Sequence, residues 1–180
     1  MKHIDDRIEG WFDFDVLYGN IVYHACDNSH FVEVGAWKGK STSFLAVEII
    51  NSGKNIKLDV VDTWEGSSEH RLENNDELYL EFLKNIEPVR HVVNPIRKKS
   101  TEAAKLYEDN SLDFVFIDAA HDYENVKADI TSWYPKIKIG GVIAGHDYYE
   151  SWPEVKMAVN EFFKDSIFYP FSKSWVHRKF

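Results

Sequence analysis

Short apolar runs alternate with amphipathic stretches along most of this chain, and that alternation is the strongest limit on the fold it can adopt. Residues 30–35, 56–62, 91–96, 112–118 and 137–145 have the length and the β-branched or aromatic content of buried strands, while 40–51, 75–86, 100–108, 122–134 and 152–164 read as helices. Apolar strands separated by helices imply a mostly parallel sheet covered on both faces. Two further runs, Ile167–Phe171 and Trp175–Phe180, are divided only by Ser172-Lys173-Ser174 and predict a closing antiparallel pair, which brings the expected α/β sheet to seven strands. Ile8, Trp11, Phe12, Val16, Leu17 and Tyr18 recur at roughly helical spacing within residues 1–28 and predict an N-terminal helical extension packed on a core at 29–180. No linker composition divides the 180 residues, a length that suits one domain.

The formal charge of -9, from 21 basic and 30 acidic residues, opposes binding to a phosphate backbone or an anionic membrane surface. A small-molecule partner fits better. Cys26 is the only cysteine, so no intrachain disulfide can form, and the opening Met-Lys-His-Ile-Asp-Asp is too polar for a signal peptide. No apolar run approaches the ~20 residues of a membrane span. The expectation is an intracellular, cytoplasmic chain with no nucleic-acid or membrane partner.

In a parallel sheet a ligand binds at the carboxyl ends of the strands, and the first such end is His30-Phe-Val-Glu-Val-Gly-Ala-Trp-Lys-Gly-Lys-Ser-Thr42. Ser41 and Thr42 can cap the helix that follows. Spacing separates three ligand readings. A phosphate-binding P-loop needs four residues between its first Gly and Gly-Lys-Ser, whereas Gly35 and Gly39 enclose only three. A dinucleotide fingerprint needs a middle glycine where Trp37 stands, and the indole would obstruct a pyrophosphate at the helix start. S-adenosylmethionine (SAM) is the third reading, because an acidic strand end, Glu33, suits a cationic sulfonium better than an anion. A tight strand-to-helix turn with no ligand stays open beside these.

The other strand ends carry Asp62, Ser100-Thr101, Asp118 and His146-Asp147. Asp62 lies 23 positions beyond Gly39, the distance at which a second-strand acid grips ribose hydroxyls, although it could equally cap the turn into Thr63-Trp64. Trp64 could stack on adenine or pack in the core. Asp118 and His121, three apart across a strand-to-helix turn, can face one ligand. Asp147 should approach Asp118 on the neighbouring strand, and two carboxylates without a Lys or Arg partner must share a proton or a cation. Oxygen donors with one imidazole suit Mg²⁺ or Mn²⁺. Helix capping or solvation is the alternative for both acids, and capping or packing is the alternative for His121. His146 reads as structural or supporting rather than catalytic, and Gly140-Gly141 as a turn into the fifth strand.

Together, Glu33-Val-Gly-Ala-Trp-Lys-Gly39, Asp62, Phe116-Ile-Asp-Ala-Ala-His-Asp-Tyr-Glu124 and Gly140-Gly-Val-Ile-Ala-Gly-His-Asp147 resemble class I SAM-dependent methyltransferases, over roughly residues 29–180. The similarity is greatest to the branch that includes macrocin-type sugar O-methyltransferases and is related to catechol O-methyltransferase. The resemblance implies a Rossmann-like fold and O-methylation of a small hydroxylated sugar or aromatic molecule. It also implies that Glu33, Gly35 and Gly39 line the methionine end of SAM, that Asp62 binds the ribose, that Ser100 lies near adenine, and that Ala36, Trp37, Ser41, Thr63, Trp64 and Asp118 belong to the same cofactor site. By the same resemblance Asp118 and Asp147 hold Mg²⁺, with His146 or Glu65 as candidate third ligand, and His121 is the general base. An NAD-dependent oxidoreductase and a non-catalytic ligand-binding domain are the rival functions. Acceptor contacts are expected from the loop 65–74, from Tyr148, Tyr149 and Trp152, from the N-terminal helices, or from a second subunit of a homo-oligomer.

Overall fold

The computed structural model describes residues 1–66, 75–164, 166–167 and 173–180. Its strands are β1 (His30–Val34), β2 (Lys57–Asp62), β3 (Val93–Arg97), β4 (Leu112–Ile117), β5 (Ile137–Gly145) and β6 (Trp175–Arg178). The helices are α1 (Asp15–His24), α2 (Lys40–Ser52), α3 (Asn75–Asn85), α4 (Ser100–Ala103), α5 (Tyr123–Trp133) and α6 (Pro153–Phe163), with short 3₁₀ turns between them. The sheet runs in the order β3-β2-β1-β4-β5-β6, with the first five strands parallel and β6 antiparallel to β5. Six strands therefore form the sheet among the described residues. The other half of the expected closing pair, beyond Ile167, lies outside them, as does most of the loop 65–74.

Alternation along each strand sorts side chains into two cores. Phe31, Leu58, Val60, Phe114 and Phe116 face α1, α2 and α3, whereas Val32, Val34, Val61, Val115 and Ile117 face α4, α5 and α6. Pro95 sits in β3, an outer strand, where its missing N–H interrupts no ladder on the outer side. Gly140 and Gly141 lie inside β5, correcting the expected turn: β4 and β5 shift register between Leu112 and Phe114, and a bulge there absorbs the glycines.

The order reverses between β1 and β4, because the chain leaves β1 for β2 and β3 and returns on the other side to β4. At such a switch point an α/β sheet offers a ligand crevice beyond the carboxyl ends of the two strands, which here run out at Gly35 and Asp118. Residues 5–7 and α1 pack on the α2 side. No helix among the described residues is long and apolar enough to cross a membrane.

Candidate active site

Gly35 lets the chain after β1 close against the end of β4. Its φ is 88°, and a Cβ built on it would stand 1.9 Å from the carbonyl oxygen of Asp118, so no side chain fits where β1 and β4 approach. Gly39, at φ 86°, occupies the N-cap of α2, and a Cβ there would meet Phe82 at 2.9 Å and Ile86 at 3.0 Å. These two glycines are therefore required by close packing, whatever they also permit a ligand.

The polar residues of the first motif are drawn inward. Glu33 shares the face of Phe31, is 1% exposed, and accepts hydrogen bonds from the Tyr18 hydroxyl at 2.8 Å and from the Thr42 hydroxyl. Thr42 therefore does not cap α2, nor does Ser41, since no side chain caps that helix and both hydroxyls turn to Glu33. Burial raises the Glu33 carboxyl to about 7 against the hydrogen bonds from Thr42, Ser41 and Tyr18 that favour its charged form. Glu33 thus lies one layer beneath the crevice.

Asp62 joins the two loops that flank it. One carboxylate oxygen accepts from the backbone N–H of Ala36 at 2.8 Å and of Trp37 at 3.0 Å, and the other accepts from the N–H of Trp64 at 2.8 Å. Thr63 is half-buried, and its hydroxyl accepts from the N–H of Glu65 at 3.2 Å. The structure corrects the expectation that Trp64 meets adenine. Its side chain is fully buried against Tyr79 and Phe82, and its indole N–H donates to the Trp37 carbonyl at 3.0 Å. Trp37 likewise gives its ring to the N-terminal segment, stacking on Trp11 at 5.4 Å between centroids and packing on Gly10. Its bulk is therefore not the obstacle to a dinucleotide that the sequence suggests. The Ser100 hydroxyl accepts from the Trp133 indole at 2.8 Å and bonds Asp129, which commits it to the α4–α5 contact.

The ends of β4 and β5 gather a second group. One ligand atom each of Asp118, His146 and Asp147 lies within 4.8 Å of the other two. His146 Nδ1 stands 3.4 Å from Asp147 Oδ1 and 3.8 Å from Asp118 Oδ1, while its Nε2 is 2.7 Å from Asp13 Oδ1. His121 Nε2 is 3.0 Å from Asp147 Oδ2, and its ring stacks on Trp152 at 4.0 Å and 20°. A small cavity is lined by Asp118, His121, His146 and Asp147 with Val155 and Trp175. Neither acid caps a helix; Asp122 caps α5 by accepting from the N–H of Asn125. Glu65 is exposed and does not join the group.

The two carboxyls are driven apart in acidity. Burial and the charge of Asp147 raise Asp118 to about 6 despite His146, whereas the hydrogen bonds from His121 and His146 hold Asp147 well below its usual range against burial. His146 is pushed up to about 9, its burial outweighed by Asp147, Asp118 and Asp13. No Lys or Arg pairs with Asp118 or Asp147 among the described residues, so the positive charge between them comes from the imidazole or from a bound cation.

Backbone strain collects at the same end of the sheet. Trp37 (φ 45°), Trp64 (φ 51°) and Asp147 (φ 59°) are all left-handed, a conformation costing on the order of 1–3 kcal/mol for a non-glycine residue. Such strain persists where surrounding contacts over-determine the backbone, as Asp62 does for both tryptophans.

Residues 32–148, well over half of the chain, match the family model described as a methyltransferase domain. The chain belongs to this methyltransferase-domain family. Uncharacterised protein y4gI of Sinorhizobium fredii is 30% identical over 130 residues, which are 72% of this chain and 14% of that protein. The chain thus spans only a small part of that relative. Among solved structures, the O-methyltransferase NovP superposes with a TM-score of 0.67 at 16% identity, over 92% of this chain and 78% of that one. SMU.1697c of Streptococcus mutans, solved in complex with SAH, gives 0.63 at 13% identity over 93% and 97%. At these identities the likeness is one of fold, the Rossmann-like methyltransferase fold.

The sequence reading missed two contributors. Asp13 reaches His146 across 133 positions and Tyr18 reaches Glu33 across 15. The available signal was an acid between Phe12 and Phe14 in an otherwise apolar stretch, where an unpaired carboxylate is costly.

Proposed function

We propose that this methyltransferase domain is SAM-dependent and methylates the oxygen of a small hydroxylated acceptor, with SAM in the crevice between β1 and β4 and the acceptor beside Asp118, His121 and Asp147. The observation that carries this reading is the convergence of Asp118, His146 and Asp147 within 4.8 Å, with His121 3.0 Å from Asp147, at the switch point of a methyltransferase-family chain.

Bound there, SAM would supply a methyl group on a sulfonium whose sulfur leaves as a neutral thioether, so the protein's task is alignment and removal of the acceptor proton. The methionine end would lie along the turn from Gly35 to Gly39, which Asp62 fixes through the Ala36 and Trp37 amides, and the Asp62 carboxylate would meet the ribose. Glu33 acts from below, as a carboxyl whose ionisation a cationic ligand favours. His121 takes the proton of the acceptor hydroxyl, oriented by Asp147 and held flat by Trp152.

The donor set of Asp118, Asp147 and His146 fits a divalent cation. Two carboxylates and one imidazole suit Mn²⁺ at least as well as Mg²⁺, which prefers all-oxygen sites. Bound, the cation would lower the acidity barrier of the acceptor hydroxyl. Trp152, already stacked on His121, offers an edge to a sugar or aromatic acceptor.

Incubation with methyl-labelled SAM and a panel of sugars and catechols tests the reading. Labelled methyl ether and stoichiometric S-adenosylhomocysteine are expected, and failure of SAM to bind at millimolar concentration would contradict it.

A further inference from the structure

We propose that Asp13, contributed by the segment ahead of α1, is a positioning residue for the acidic end of the site: it sets His146 so that Nδ1 faces Asp118 and Asp147, and it thereby ties docking of residues 9–14 to cation binding. The inference rests on the methyl-transfer reading, since it takes the Asp118–His146–Asp147 group as that site's cation-binding side.

An imidazole held at one nitrogen has the direction of the other fixed. Asp13 Oδ1 is 2.7 Å from Nε2, and Nδ1 then points at Asp147 Oδ1 (3.4 Å) and Asp118 Oδ1 (3.8 Å). The ring is also flanked by Phe14, the last residue of the same segment, at 5.0 Å between centroids. With Nε2 held by Asp13, Nδ1 faces the space shared with the two carboxylates, where a bound cation would displace its proton and take up the lone pair. A carboxylate behind a ligating histidine fixes ring orientation and strengthens the donor, and its loss typically weakens metal binding about 10–100-fold.

The segment is seated independently of His146. Asp13 Oδ2 is 3.0 Å from Lys173 Nζ, Trp11 stacks on Trp37, and Glu9 pairs with Lys38 at 2.7 Å. Asp13 lies outside residues 32–148, the part matched by the methyltransferase-domain family model. Because coupling between two binding events is reciprocal, a cation that needs Asp13 must in turn hold the segment down.

The test measures Mn²⁺ affinity by the electron paramagnetic resonance of free Mn²⁺, on the full chain as wild type, Asp13→Asn and Lys173→Met. S-adenosylhomocysteine affinity by calorimetry serves as the check of the fold. Amide exchange of residues 9–14 is followed with and without Mn²⁺. The expected result is a loss of about 10–100-fold in Mn²⁺ affinity for Asp13→Asn, a change of less than about threefold for Lys173→Met, which removes the other partner of Asp13, and Mn²⁺ protection of residues 9–14 in the wild type and Lys173→Met but not in Asp13→Asn. Equal Mn²⁺ affinity in wild type and Asp13→Asn would overturn the inference and leave methyl transfer standing, and so would an equal loss in Lys173→Met, which would reduce Asp13 to a tether. Absence of Mn²⁺ binding by a wild type that binds S-adenosylhomocysteine would overturn the inference together with the cation. Failure to bind S-adenosylhomocysteine at all would instead strike the methyl-transfer reading.

Discussion

Asp59 and Glu33 are both buried in the sheet, on opposite faces, yet neighbouring donors hold one ionised while burial keeps the other close to neutral. Burial would raise Asp59, but hydrogen bonds from His30 (2.7 Å), Asn94 (2.9 Å) and Tyr107 (2.8 Å) lower it to about 2. A carboxyl depressed in the folded state adds stability that is fully present above the unfolded value near 3.9 and is lost as pH falls toward 2. Asp59→Ala leaves three donors without their acceptor, and urea unfolding at pH 7 should show a loss of about 3 kcal/mol that shrinks toward pH 2. Glu33 runs the other way. Raised to about 7, it favours the folded state fully below about pH 4 and less as pH climbs through 7, so ligand-free Glu33→Gln should lose less melting temperature than wild type between pH 5 and 8. His121→Ala should lower turnover by about 10²–10⁴ with S-adenosylhomocysteine affinity kept within about twofold, measured by steady-state kinetics and calorimetry; an unchanged rate would remove His121 as the base. Asp62 and Asp118 stand out in the sequence because each ends an apolar run, Glu33 because it is the one acid inside the run 30–35, and His121 and Asp147 because they follow a strand end within three residues. Trp37 and Trp64 were not, since an indole beside a glycine turn reads the same whether it meets a ligand or the core, and Asp13 was hidden by chain separation.

The strand–turn–helix from β1 to α2 shows how little of an element's function its own residues decide. Its glycines answer to β4 and α3, its hydroxyls to Glu33, and its loop amides to Asp62 on β2. Gly35→Ala would drive a methyl group into the Asp118 carbonyl, 1.9 Å away, at a φ that alanine resists. We expect a loss of at least about 3 kcal/mol in thermal or urea unfolding, and a neutral substitution would show that β1 and β4 are not so closely set. Element positions were readable because periodicity reports burial: β5 spans Ile137–Gly145 as expected, and α2, α3, α5 and α6 end within about a residue of their predicted limits. The helix expected at 100–108 instead narrows to α4 and a 3₁₀ turn at Ala104–Leu106, because Tyr107 must leave in extended backbone to reach Asp59.

Taken whole, the molecule brings residues far apart in sequence to one end of a sheet. Reversal of strand order between β1 and β4 opens the crevice, β5 adds His146 and Asp147 beside Asp118, and the N-terminal segment closes on them through Asp13. Exhaustive chelation should therefore lower turnover at least about tenfold, with Mn²⁺ restoring it; full activity after chelation would show that the cluster works without a bound cation. Methyl transfer by this chain depends on SAM binding between β1 and β4. Calorimetric titration with S-adenosylhomocysteine tests it most directly, on wild type and on Asp62→Ala. Saturable one-to-one binding by the wild type is expected, with a loss of about tenfold or more in the variant, which lacks the acid that fixes the loop and is proposed to meet ribose. Equal affinity in the two proteins, or no binding by the wild type, would contradict it.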